Sequence, residues 1–428
     1  MQVCKLLQLM TISTYTILFL RSAGTKFGME EQEIVIVGAG IAGLATSLGL
    51  HRLGIRSVVV ESADSLRTSG FALGILANGW RALDAIGVGD ILRAKHHKIS
   101  RIVTTSVNSG IQTAELPFRA SNSQDDLESR CVNRRVLLET LENELPRGII
   151  RYSSKVVHIQ SEDRVESIHL SDGTVLKTKV LIGCDGVNSV VSKFLGFSKP
   201  AYAGREAVRG FVYFKDGHAF EPKLMQFFGK GVRFGVIPCD DYSVYWFFTF
   251  SPSSQEKEMV EDPAKLKLFI LSKLGKVSDE IRRVFEETEL GNMVCAPLRF
   301  RYPWQMLWGN ISKDNVCVLG DALHPMTPDI AQGGCCALED SVVLARLLGG
   351  ALKGSDGGNE HRAIPEALEK LARERRWRCF DLISTSYVVG VMQQGDGLLV
   401  QFLRDKFMAK FMAGVVLKKA CFDCGDLC

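Results

Sequence analysis

Several features are missing from this 428-residue chain, and each absence removes a class of function. Lys and Arg number 52 against 48 Asp and Glu, a formal net charge of only +4, and no basic stripe interleaved with aromatics appears, which argues against nucleic acid as a partner. The 12 cysteines are scattered rather than set in the repeated pairs of a zinc site, and Cys184, Cys317, Cys335 and Cys336 sit among apolar residues. Such thiols read as buried and reduced, in a cytoplasmic or organellar compartment, and secretion fits poorly. Three cysteines gather in the tail from Cys421 to Cys428, but at a terminus prone to fraying, and no metal site is expected. Internal repeats and low-complexity tracts are absent. The mostly apolar run Leu6 to Leu20 is 15 residues long and diluted by Thr, Ser and Gln, so it is short for a membrane span and resembles a signal segment. Residues 1–28 are either a targeting or membrane-tethering extension, the one part from which membrane contact is expected, or a dispensable leader ahead of a start at Met29.

What is present begins at Glu33. The stretch EIVIVGAGIAGLATSLGLHRLGIRSVVVE, ending at Glu61, reads as strand, tight turn, helix, strand and acid. Ile34 to Val37 is a β-branched run suited to a buried parallel strand, and Gly38, Gly40 and Gly43 follow at GxGxxG spacing. Gly38 permits the turn, Gly40 leaves room for a pyrophosphate, and Gly43 lets the helix pack against the strand. The phosphates then meet free N–H groups at a helix N-terminus. Glu61 suits ribose hydroxyls and repels a 2′-phosphate.

Two later segments repeat the pattern of an apolar strand ending in a polar turn. In KVLIGCDGVNSVVSKFLG, Val180 to Ile182 is the expected strand, with Asp185 and Gly186 at its end; Asp185 is either part of the nucleotide site or an Asx cap. In VCVLGDALHPMTPDIAQGGCCALED, Val316 to Leu319 leads to Gly320 and Asp321, and Pro325 and Pro328 stiffen the loop. Gln332, Gly333 and Gly334 open an apolar helix, Cys335 to Leu348. A carboxylate at a strand end accepts hydrogen bonds from ribityl hydroxyls, and a glycine-rich helix start presents N–H groups to an anionic ring edge. NAD needs only the first segment, whereas a flavin across the strand ends needs the others as well, so the pairing points to FAD.

On these motifs the chain resembles the class A flavoprotein monooxygenases, the family of para-hydroxybenzoate and salicylate hydroxylases, and most of all the FAD-dependent monooxygenases of plants. The matched pieces are the glycine loop with Glu61, the segment carrying Arg134, Leu137 and Leu141, the DG pair Asp185–Gly186, and the GD pair Gly320–Asp321 with the HPMTP after it. The resemblance implies FAD held by Glu61 at the ribose, Arg134 near the pyrophosphate, Asp321 at the ribityl chain, and Gly333 and Gly334 at the ring, with Asp185 and Pro325 in the same site. It also implies NADH or NADPH as a transient reductant, consistent with the lack of a second GxGxxG. Two positions depart from the family pattern. Ser192 stands where an arginine is usual, and Ala331 where a glycine is usual, which matters if that position needs φ > 0.

The expected fold is α/β: a Rossmann-like FAD-binding domain, an inserted β-sheet substrate domain and a C-terminal helical region. The boundaries read as 29–196 for the first FAD-binding part with some substrate-domain segments, 197–303 for the sheet domain, 304–360 for the GD part and 361–428 for the helical region and tail. Gly70 to Arg93 reads as a glycine turn and helices, and Arg130 to Leu145 as one amphipathic helix. Val156 to Val180 reads as a meander with an Asp172-Gly173 hairpin, and GFVYF, KLMQFFG, VRFGVIP and YSVYWFFTF as strands. Helices are expected at Pro263 to Leu274, Ser278 to Glu287 and Glu366 to Met412, with Phe407, Lys410 and Phe411 packed on the body rather than on a membrane.

The expected reaction is hydroxylation of a small aromatic substrate, such as a salicylate-like phenolic acid, by FAD, NAD(P)H and O2 through a C4a-hydroperoxyflavin in a dry, aromatic-lined pocket. No nucleophilic side chain is needed, and His324 reads as a loop histidine hydrogen-bonded near Pro325. Arg209, in the VRGF strand beside Tyr202, either orients an acidic substrate or is a surface charge. Two alternatives remain: a related flavin oxidoreductase or epoxidase acting on an isoprenoid, and a flavin-binding protein without turnover.

Overall fold

A computed structural model describes residues 29–67, 70–119, 127–162, 165–253, 256, 258–354, 359–394 and 409–427. The N-terminal extension and Phe407 lie outside them, as do the side chains of Lys410 and Phe411. Among the described residues no helix is long and apolar enough to cross a membrane.

The β-branched strand Met29–Val37 lies at the centre of the first sheet. It pairs in parallel with Val175–Gly183 on one side and Val58–Val60 on the other. Val316–Val318 adds in parallel beyond Val175–Gly183, and Ile150–Arg151 beyond Val58–Val60. The hairpin Val156–Glu162 and Val165–Leu170 runs antiparallel onto Val175–Gly183, the expected meander. Strands adjacent to the first strand thus leave in opposite directions, and the crevice at their carboxyl ends is where a parallel α/β sheet binds its ligand. Gly38, Glu61, Asp185 and Gly320 all sit at that edge.

The glycine-loop helix, Ile41–Arg52, is buried without interruption from Ile41 to Leu50, as befits a helix between a sheet and another helix. That other helix is Gly333–Gly354. Its Ser341 hydroxyl donates to Ala42 O at 3.0 Å and accepts from Thr46 Oγ1 at 3.1 Å, and a Cβ on Gly49 would stand 2.9 Å from Ala345 Cβ.

The second sheet has seven strands in the order Met293–Phe300, Ala201–Tyr213, Ser243–Phe250, Val232–Pro238, Leu224–Phe228, Arg101–Ser106 and Gln112–Pro117. Because side chains alternate along a strand, its two faces part company. One face, with Phe234, Trp246, Phe248 and Phe250, packs against helices Pro263–Lys273 and Asp279–Glu287 through Leu266, Ile270 and Phe285. Gly210 admits Trp246, whose ring would lie 2.1 Å from any Cβ there. The other face, with Ala207, Arg209, Arg233, Tyr245, Phe247 and Thr249, turns toward the first sheet.

Two readings need correction. Arg130 to Leu145 is not one helix: Ser129–Asn133 is a strand paired with Ala72–Leu76, a strand missed in the glycine-turn segment. Asn133 Oδ1 accepts from the N–H groups of Arg135 and Val136, and this cap starts the helix at Arg134. The C-terminal helical region is described as Glu360–Gln394 and Ala409–Lys419, so its first helix starts earlier than Glu366.

Candidate active site

The glycine loop has the geometry its sequence implies. Gly38 adopts φ +102°, and a Cβ there would lie 2.5 Å from Cys184 O. A Cβ on Gly43 would meet Gly38 O at 1.9 Å, so only glycine closes this turn. A Cβ on Gly40 would meet nothing within 4 Å, leaving that N–H edge open to a ligand. Glu61 reaches back to the loop: Ala39 N donates to its Oε2 at 2.9 Å, and Ala63 N and Arg67 Nη2 donate to Oε1 at 2.9 and 2.7 Å. Burial pushes this carboxyl up, but those bonds and the Arg67 charge outweigh it and hold it below the usual range.

Between the two sheets lies a cavity of about 590 Å³, within the range of roughly 300 to 1,000 Å³ usual for small-molecule sites. It brings together Arg134, Asp321, Gly333 and Gly334 with Arg209, residues spread over 201 positions of chain. Glu61 and Gly38 to Gly43 are not in its wall. The Arg134 backbone N–H donates to Phe71 O at 2.8 Å, and Phe71 itself holds φ +61° next to Gly70 at +99°. The Arg134 guanidinium is largely desolvated, and its Nε is buried without a hydrogen-bond partner. Burial pushes its pKa down and Asp321 pulls it back up. A largely desolvated guanidinium with an unpartnered Nε on a cavity wall is a place for an anion. Asp321 is exposed on the cavity wall, and its carboxylate accepts no hydrogen bond among the described residues. Gly333 opens the helix Gly333–Gly354, and a Cβ there would have no neighbour nearer than Met326 Cγ at 3.9 Å, whereas on Gly334 a Cβ would strike Leu73 Cδ1 at 2.6 Å. The residues therefore fit a dinucleotide with an anionic middle and a ring at the Gly333 helix end.

Four residues have settings other than the ones expected of them. Asp185 does not face the cavity: its carboxylate accepts from Ser189 Oγ and from Val190 N at 2.6 Å, capping the turn after its strand, the Asx reading. Burial raises its pKa against those bonds. Pro325 is buried and takes the Arg301 N–H on its carbonyl at 2.9 Å, while Pro328 lines the cavity. Tyr202 is 44% exposed and bonds Glu206, away from Arg209. His324 is fully buried and pairs with Asp340 at 2.6 Å rather than forming a loop contact at Pro325. The cavity is also less aromatic than expected, because strand alternation sends most sheet aromatics to the opposite face.

Sequence reasoning missed a second cation. Arg233 is 4% exposed, lines the cavity, and lies over the Phe247 ring at 5.0 Å. Its Nη1 and the fork of Arg205 share one carboxylate, Asp329, at 2.9, 3.1 and 2.8 Å, and Arg233 Nε has no partner. Burial pushes Arg233 down, Asp329 up and Arg205 down again. Arg233 thus brings a guanidinium to the cavity wall, held there by the carboxylate it shares with Arg205. The VRF strand showed only an alternating arginine, a signal too weak to single out.

A family model described as FAD binding domain matches residues 31–375. Monooxygenase 2 of Arabidopsis thaliana is 49% identical over 410 residues, covering 93% of this chain and 100% of the relative. The chain belongs to this family of FAD-dependent monooxygenases. Monooxygenase 1 of Arabidopsis thaliana is 36% identical over 93% of this chain and 100% of its own length. Among solved structures, Klebsiella pneumoniae HpxO complexed with FAD and uric acid superposes with a TM-score of 0.78 at 21% identity, covering 91% of this chain and 96% of that one.

Proposed function

We propose that this FAD-dependent monooxygenase hydroxylates a small, anionic aromatic or heteroaromatic substrate, with NAD(P)H as reductant and O2 as oxidant. One observation carries the reading: a single cavity has the Gly333 helix end and Arg134 at one side and the guanidiniums of Arg209 and Arg233 on the sheet at the other. The uric acid in the HpxO structure belongs to the same chemical class. The buried guanidinium of Arg233 and the half-buried one of Arg209 weigh against an isoprenoid hydrocarbon, whose pocket has no use for a desolvated cation.

Bound FAD supplies the two-electron chemistry that activates O2. In this reading Glu61 holds the ribose hydroxyls, Gly40 and Arg134 the phosphates, and Asp321 the ribityl chain. The N–H groups at Gly333 and Gly334, at the positive end of a 22-residue helix, stabilise negative charge on the ring. Arg209 and Arg233 hold the substrate carboxylate or enolate, and Phe247 and Tyr245 set the plane of its ring. Burial pushes the Tyr245 hydroxyl up to about 12, with Arg209 pulling the other way, so it stays a neutral donor.

The test is a panel of phenolic acids, heteroaromatic acids and their neutral amides, read as ligand-stimulated NAD(P)H oxidation with ¹⁸O2 and mass spectrometry of the product. One ¹⁸O atom in an acidic product supports the reading. Stimulation by neutral terpenoids alone, or NAD(P)H oxidation yielding only peroxide across the panel, defeats it.

A further inference from the structure

Outside the cavity, where the loop after Val316–Val318 meets the helices Gly333–Gly354 and Glu360–Gln394, four donor side chains converge. The ligand atoms of His324, Cys336, Asp340 and Cys379 all lie within 4.8 Å of one another, and each residue is 0% exposed. None of them lines the cavity. Cys336 and Asp340 are four residues apart on one helix and so share a face. Cys379 comes from the long helix and His324 from the loop.

The hydrogen bonds within the cluster leave one ring atom unexplained. Asp340 Oδ2 pairs with His324 Nε2 at 2.6 Å and accepts from Gly320 N at 2.9 Å, while Oδ1 accepts from Arg375 Nε at 2.7 Å. His324 Nδ1 is buried and has no hydrogen-bond partner. A carboxylate that fixes one imidazole nitrogen and leaves the other unpartnered, in a cluster that also holds two thiols, is the usual setting of a metal-bound histidine.

We propose that this cluster is a structural zinc site, with His324 Nδ1, Cys336 Sγ and Cys379 Sγ as its protein ligands and Asp340 Oδ2 holding the imidazole from its other nitrogen. Two thiolates with an imidazole select zinc over hard cations. In a tetrahedral zinc site the donors stand roughly 3.5 Å apart, so the side chains need only small rotations to close on an ion. Charge also balances in this dry region. Asp340 is offset by Arg375 at 2.7 Å and Glu339 by Arg378 at 2.7 Å, so a divalent ion with two thiolates and a neutral imidazole adds no net charge. Arg375 Nη2, 3.2 Å from Cys336 Sγ, donates to that sulfur from outside the site. The ion would pin the loop that ends in Gly333 and Gly334 to the long helix.

The experiment uses the FAD-loaded protein grown in zinc-supplemented medium and passed through a chelating column, with metal measured by plasma mass spectrometry and flavin by absorbance in one sample. About one zinc per chain is expected. Cys379→Ser should lose it to below roughly a tenth of that, while Cys421→Ser, in the exposed tail, should keep it. Cobalt-grown protein should show tetrahedral absorption at wavelengths beyond the flavin bands. Should Cys379→Ser fail to fold, zinc released from the wild type in step with mercurial blocking of two buried thiols reads the same point. Flavin-loaded protein free of zinc, equal zinc in Cys379→Ser, or a Cys336–Cys379 disulfide in peptide maps of never-reduced protein each overturns the proposal. Flavin content in the same sample reports separately on the functional reading.

Discussion

Arg301 Nη2 donates to Ser192 Oγ at 3.0 Å, at the one position of the DG segment where the family's usual residue is itself an arginine. Arg301 is 2% exposed and also donates to Leu323 O, Ala322 O, Ser198 O and Gln305 Oε1, with its guanidinium 4.5 Å over the Phe197 ring. Burial pushes its pKa down to about 10. The space is therefore already filled by a guanidinium from another strand end. Ser192→Arg should destabilise the holoenzyme by about 3 kcal/mol, as two cations meet in a buried site. Ser192→Ala should cost only about 1 kcal/mol, because Arg301 keeps its other acceptors. Urea unfolding of both variants checks this, and an arginine variant as stable as the parent contradicts it.

Ala331 answers the other departure. It holds φ +52° and ψ +34°, a left-handed conformation, at the cavity wall. An L-residue there costs roughly 1–2 kcal/mol, part of which glycine returns through its freer unfolded chain. Ala331→Gly should therefore stabilise the protein by about 0.5 to 1 kcal/mol with unchanged flavin content. A lower melting temperature in this variant would show that the backbone strain is not real.

The cofactor end gives a paired prediction. Asp321→Ala removes acceptors for ribityl hydroxyls, each worth about 1.5 to 3 kcal/mol when charged, so FAD should bind at least roughly ten-fold more weakly. Gly333→Asp meets no close neighbour and should fold, yet it sets a carboxylate against the ring edge that the helix end favours. Its flavin should be lost or reduced far more slowly by NAD(P)H in anaerobic stopped flow. Wild-type flavin content in both variants would move the ring elsewhere.

His96 makes stability depend on pH just above Arg134. It is 4% exposed; its Nδ1 donates to Leu92 O at 2.8 Å, and its Nε2 accepts the Asn133 N–H at 3.1 Å, next to the cap that starts the Arg134 helix. Only a neutral ring can do both. Burial pushes its pKa below the usual value of 6.5, more than the bond to Leu92 O raises it. Below that value the unfolded chain takes a proton that the folded one refuses, so stability is present above pH 6.5 and falls as pH drops toward the folded pKa. Melting curves between neutral and mildly acid pH should show this slope, and His96→Gln should flatten it. Equal slopes would remove His96 from the account.

The glycine loop was legible because its chemistry is local: Gly38 and Gly43 each answer a clash with backbone a few residues away or at the next strand end, and Gly40 leaves its edge open. Strands with clear alternation, such as Ser243–Phe250, were legible too, but the direction each face takes was not. That depends on which sheet lies opposite, and so the aromatic lining was overestimated. Asp185 shows the converse limit, since a strand-end carboxylate looks the same in sequence whether it meets a ligand or caps its own turn. The convergence of His324 and Cys336 with Cys379 joins positions over 40 residues apart across two helices, a contact that no spacing rule anticipates.

Substrate charge should be read by Arg233. Its Nε is unpaired, its Nη1 shares Asp329 with Arg205, and Phe247 lies beneath its plane, so a planar anion can accept from the free edge while stacking nearby. Replacing Arg233 by Gln leaves Asp329 paired with Arg205, which keeps the carboxylate from being stranded and favours folding. A lost charged hydrogen bond of about 1.5 to 3 kcal/mol corresponds to roughly 10- to 100-fold in affinity. Arg233→Gln should therefore raise KM by that factor for an acidic aromatic substrate and leave a neutral amide analogue nearly unchanged. Arg209→Gln, half-buried on the strand across Ser243–Phe250 from that of Arg233 and beside Tyr245, should show the same selectivity with a smaller effect, since solvent already competes for its charge. Steady-state kinetics on the matched acid and amide decide the matter: an equal loss for both would mean that the two arginines shape the cavity without reading charge.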